Sequence, residues 1–135
     1  MEPVRKSVTR VVAIDGAFLG DVLLYLRRDA AAPVLRWTLG DRGTAEIDAC
    51  FDSFDTGWKA TARLWSPSGL AVAAAVVYAE AARSDEIALT LEPTLPPAGW
   101  GDEAEPFTAL AECALDELAE ELLWHASRAG LTHRR

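Results

Sequence analysis

Cysteine, histidine and methionine are scarce in this chain of 135 residues, with two, two and one respectively. Cys50 and Cys113 stand far apart and share no ligand-type spacing, so reduced thiols are expected in place of a disulfide framework. His125 and His133 lack a third ligand at a workable spacing, and neither a metal nor a cofactor is expected. Long apolar runs are missing as well. The longest, Leu70 to Ala79 and Val22 to Leu26, fall well short of the roughly 20 residues of a membrane helix. The opening MEPVRKSVTR holds no apolar core of a secretory signal, which leads to the expectation of a cytoplasmic protein without membrane insertion. No glycine loop fit to cradle phosphate stands between a strand and a helix, since Gly40 and Gly43 belong to a turn. Ser66 and Ser68 flank a proline in another turn, so no nucleophile elbow is present.

Positive charge is lacking in the second half. Residues 1–67 carry nine basic and nine acidic side chains, whereas residues 68–135 carry four and twelve and so hold the whole net charge of -8. A field of that sign repels phosphate backbones and argues against nucleic acid as a partner.

Half of the residues are apolar, enough for one core, and the expectation is a single domain over residues 1–135 with flexible ends at about 1–6 and 131–135. The β-branched run Ser7 to Asp15 reads as a first strand. Leu19, Val22, Leu23 and Leu26 then mark one face of a short helix over Ala17 to Arg28, with Asp15 as its N-cap. A piece containing Pro33 leads to a short strand around Arg36 to Leu39. Thr44 to Phe54 and Trp58 to Trp65 both alternate, and a two-residue turn that pairs Phe54 with Gly57 sets Asp52 opposite Lys59 and Asp48 opposite Arg63. Leu70 to Ala79 reads as a strand from its valines and tyrosine, and Ile87, Leu89 and Leu91 as the inward row of the next.

The chain ends in a long amphipathic helix, Pro106 to Ala129. Phe107, Leu110, Ala111, Ala114, Leu115, Leu118, Leu122 and His125 share one face, and Glu112, Asp116, Glu117, Glu120 and Glu121 the other. Pro106 opens it, Asp102, Glu103 and Glu105 surround its start, and Gly130 ends it. Consecutive strands on short turns pair antiparallel, and the terminal stripe needs their apolar face. The fold class expected is therefore α+β, a curved antiparallel sheet wrapped around a long C-terminal helix, with one or two short helices after the first strand.

That order, with Ile14-Asp15-Gly16, Asp21, Val22, Leu26, Asp29, Pro33 and Trp37 at the front and Asp85 to Pro97 before the last helix, resembles the START and polyketide-cyclase superfamily. This is the helix-grip fold shared with the birch pollen allergen. Ala17 stands where that family commonly has proline, and the chain is short for the family, which implies a small or partly collapsed pocket. Cystatin-like cone folds are the nearest rival, but they generally lead with their long helix.

The resemblance implies a cavity between sheet and terminal helix for a small apolar or aromatic molecule. Independently, Ala49, Ala60, Ala62 and Ala74, read as inward, are small and leave room that either helix side chains or a ligand must fill. The inward large residues are read as Phe51, Trp58, Leu64, Val72, Val76, Tyr78, Leu89 and Leu91. Trp37, Phe51, Trp58, Ala62, Ala74, Tyr78, Leu89, Trp100, Leu118, Leu122 and His125 are the candidate ligand-binding residues, with Trp100 as a lid. His125 and Tyr78 are the candidates for moving protons. A cyclisation or dehydration of a polyketide-like substrate is implied by the resemblance alone. The alternative is a non-catalytic module whose acidic helix face and the acidic loop before it dock a basic protein. Either a monomer or a homodimer is compatible with the sequence.

Overall fold

The computed structural model describes residues 7–29, 34–69, 72–83, 85–94 and 104–128. The candidate lid Trp100, the acids Asp102 and Glu103, Pro33, Gly130 and His133 lie outside these residues. The chain runs β1 (Val8–Val12), a 3-10 turn (Gly16–Phe18), α1 (Leu19–Asp29), β2 (Val34–Thr38), a second 3-10 turn (Gly40–Arg42), β3 (Thr44–Asp48), β4 (Asp52–Phe54), β5 (Gly57–Trp65), β6 (Val72–Arg83), β7 (Glu86–Pro93) and α2 (Ala104–Arg128). Among the described residues seven strands join one antiparallel sheet in the order β1-β7-β6-β5-β3-β2, with β4 also on β5. The sheet curls into a half-barrel around α2, the α+β helix-grip architecture expected. Among the described residues no helix is long and apolar enough to cross a membrane.

Local chemistry starts each element. Asp15 caps the first turn by accepting a hydrogen bond from the Ala17 amide at 2.9 Å, which satisfies a donor that the helix start leaves unpaired. The four apolar positions of α1 that share a face, Leu19, Val22, Leu23 and Leu26, are all buried. Gly43 follows the second 3-10 turn at a φ of +122°, and a side chain there would collide with the Trp65 carbonyl. The terminal helix starts at Ala104, so Pro106 lies in its first turn instead of opening it. Its apolar face is buried throughout, from Phe107 to His125 and Ala126.

The segment read as one strand from Thr44 to Phe54 is two. Asp48 Oδ1 accepts from the Cys50 amide at 2.8 Å, a local turn that competes with the ladder and interrupts it. β4 keeps the expected pairing, Phe54 with Gly57 and Asp52 with Lys59. Beyond the break β3 is displaced by two positions, so Glu46 and not Asp48 stands opposite Arg63. A slip of two leaves every side chain on its original face, which is why Ala45 and Ile47 still meet Leu64 and Ala62. The extra residues bend the sheet there.

The face assigned to β6 is a correction. Val72, Ala74, Val76 and Tyr78 point to the convex side, opposite Trp65, Arg63, Thr61 and Lys59 respectively. The buried row is Ala73, Ala75, Val77 and Ala79. Both faces of this strand are apolar, so alternation within it carries no phase; cross-strand partners decide it. Because Trp65 faces outward and an even number of residues closes the hairpin, Val72 shares its face.

An ion-paired clamp ties sheet to helix. Arg10, on the concave side of β1, donates from Nε to Asp116 Oδ1 at 2.8 Å, and its Nη2 lies 3.8 Å from Glu112 Oε2. Two acids of the face offered above for a basic partner are thus engaged by the chain itself.

Candidate functional site

The sheet and α2 share one apolar core, to which the sheet gives the large side chains of Ile47, Leu64, Val77, Ile87, Leu89 and Leu91. The concave face offers Ala45, Ala60, Ala62, Ala73, Ala75 and Ala79, and α2 contributes Leu110, Leu115, Leu118 and Leu122 to the same core cluster. Leu89, Leu118 and Leu122 are fully shielded from solvent and Ala62 is buried. These four candidates come together as interior. Ala74 and Tyr78 do not join them; Tyr78 packs its ring edge-on against Phe54 on the convex side, with centroids 5.7 Å apart.

The hollow lies beside α1. A recess of about 360 Å³ is lined by Gly20, Asp21, Leu23, Leu24 and Arg27 of α1 and by Ala49, Phe51 and Trp58 from the sheet. Phe51 stands in the break between β3 and β4, so the turn made by Asp48 and Cys50 is what brings its ring to the recess. Trp58 begins the inward row of β5. Its ring reaches α1 because position 20 has no side chain: a Cβ there would stand 3.1 Å from Trp58 Cζ2. Leu24 remains 51 % exposed, an apolar residue off the buried face of its helix. Asp21 in the first turn of α1 and Arg27 in the last mark opposite ends of the rim.

His125 belongs to another place. It is buried, with Nε2 3.6 Å from Glu121 Oε1, and the Trp124 ring stands edge-on to it at 4.8 Å. An open cleft of about 840 Å³ is lined by Arg28, Glu117, Glu120, Glu121, Trp124, His125 and Arg128. Arg128 already lies 4.6 Å from the centre of the Trp124 ring, so the cation–π face of that ring has an occupant. Larger than the recess, this cleft is walled by carboxylates and guanidinium groups, which suit water better than an apolar molecule. His125 and Tyr78 therefore share no site with each other or with Phe51 and Trp58. Trp37 is half-buried on β2 and packs against the core.

Of the expected ligand-binding residues, Phe51 and Trp58 border the recess. Its α1 wall, Gly20, Leu24 and Arg27, was outside the expected set. The signal in the sequence was modest: Leu24 and Tyr25 are apolar residues beyond the stripe of Leu19, Val22, Leu23 and Leu26, and both are exposed. Among the described residues no cluster of three or more His, Cys, Asp or Glu is placed to hold a metal ion.

No family model matches the sequence, and no curated protein matches it either. Among solved structures the chain is similar to the ZhuI aromatase/cyclase from Streptomyces sp. R1128, at 16 % identity and a TM-score of 0.42, over 93 % of this chain and 94 % of that one. It is also similar to the Mll3558 protein from Rhizobium loti, at 15 % identity and a TM-score of 0.41, over 87 % and 96 %. Neither likeness bears on what this chain binds.

Proposed function

We propose that this protein binds a small apolar or aromatic molecule in the recess between α1 and the wall formed by Phe51 and Trp58. The observation that carries this reading is the hollow itself: two aromatic rings and two leucines border a space of about 360 Å³, within the usual size range of small-molecule sites. Aromatic rings give a flat ligand large contact area at little entropic cost. The ligand then lies away from the space under α2, where the side chains of sheet and helix are buried in one core. Binding without catalysis is favoured because Tyr78 lies on the convex face and His125 in the separate cleft. A cytoplasmic location and a single domain over the whole chain go with this proposal.

Native mass spectrometry beside a denatured control tests for a co-purifying molecule, and calorimetric titration with 2-naphthol tests the site directly. Saturable 1:1 binding is expected, weakened about tenfold by Phe51→Ala through loss of the contact area of one ring. Absence of binding at millimolar 2-naphthol, or unchanged affinity in Phe51→Ala, would overturn the assignment of the recess.

A further inference from the structure

We infer that the recess selects aromatic acids, with Arg27 holding the carboxylate and Phe51 and Trp58 the ring; this inference rests on the binding reading above. The apolar border is provided by Leu23, Leu24, Phe51 and Trp58, while the ionisable residues of the lining are Asp21 and Arg27. They sit six residues apart on α1, about 9 Å along the helix axis, so the two ends of the recess differ in the sign of their charge. Neither is engaged in a hydrogen bond or ion pair with a described residue. Its neighbour Arg28 is turned to the other cleft and rests over the Tyr25 ring at 5.6 Å. A guanidinium offers a planar pair of donors that matches a carboxylate, and an ionised acceptor strengthens the bond. Asp21 repels the same anion from the opposite end. The two charges together orient the ligand as well as choose it, with the acid toward the C-terminal end of α1 and the ring over Trp58. A one- or two-ring acid is the class that such a hollow accommodates.

The test uses three probes of one shape and different charge: 2-naphthoate, 2-naphthylmethanol and 2-naphthylmethylammonium, titrated calorimetrically into the full chain at low salt. The expected order is acid, alcohol, ammonium, with the acid favoured over the alcohol by about fivefold, the scale of a partly exposed ion pair. Salt should shrink that ratio. Arg27→Gln should abolish the preference for the acid over the alcohol, and an unfolding midpoint in chemical denaturation equal to that of the unaltered chain verifies that the variant is folded. Asp21→Asn should tighten the acid and weaken the ammonium. Equal affinities for acid and alcohol in the unaltered chain, or an acid preference that survives Arg27→Gln, would overturn the role of Arg27 while the recess still binds. Failure of all three probes would overturn the binding reading itself, so the two failures are distinguishable.

Discussion

Two helices meet the same curled sheet in opposite ways. Under α2 the sheet presents alanines among the larger Ile47, Leu64, Val77, Ile87, Leu89 and Leu91, and the helix presents Leu110, Leu115, Leu118 and Leu122, each fully shielded from solvent. Beside α1 the large residues of the sheet remain half-buried. There the sheet presents Phe51 and Trp58, and the helix meets Trp58 with Gly20. The core closes under α2, because aliphatic side chains of mixed size can interdigitate and lose few contacts to voids. Rigid rings against one glycine do not close, since a ring cannot bend to fill the space on both sides of itself. One sheet can thus be closed core in one half and border an open recess in the other, according to whether aliphatic chains or rigid rings face the helix.

The comparison breaks most severely at the α2 side. Leu118→Ala should cost about 4 kcal/mol in chemical denaturation, from lost transfer energy and the cavity left behind. Overfilling the same core with Ala62→Leu should cost about 2 kcal/mol by forcing neighbouring side chains off their rotamers. Ligand affinity should fall in neither variant under conditions where it stays folded; a selective loss of binding in Ala62→Leu would show that the space under α2 is the site after all. On the α1 side the order of effects reverses. Gly20→Ala should change stability by less than about 1 kcal/mol, since the gain in helix propensity offsets the displacement of the Trp58 ring. The same substitution should lower 2-naphthol affinity by about threefold, for the ring must shift by a few tenths of an ångström; an unchanged affinity would mean that Trp58 is not part of the wall. Smallest of all, Arg10→Ala should lose about 0.5 kcal/mol in thermal unfolding, a loss that fades with added salt.

Most of the fold was legible because its signals are local. The stripe of α2, the face of α1, the Asp15 cap and the inward row of β7 each follow from residue spacing that tertiary contacts did not override. The pairing of Asp52 with Lys59 was legible for the same reason, as it lies two residues from its turn. Asp48 with Arg63 was not, because a side-chain-to-amide bond at Cys50 displaces the ladder between them. Less of the candidate site was legible. Phe51 and Trp58 stand out as large residues on alternating segments, but Tyr78 and Ala74 read as inward and the structure sets them on the convex face. An all-apolar strand conceals its phase, and only the partner across the hairpin supplies it.

Legible from the sequence, therefore, are both helices, the strands other than the break between β3 and β4, their order and the acidic surface of α2, since period, capping and charge act over a few residues at a time. Tertiary structure alone decided which face of β6 is buried, that Arg10 holds Asp116, that His125 and Tyr78 are far from any common site, and that Gly20 lies against Trp58. Each of these joins residues distant in sequence, and each depends on the curl of the sheet and on how closely each helix approaches it. Those quantities are set by the fit of all the side chains at once, so no single stretch of the chain carries them.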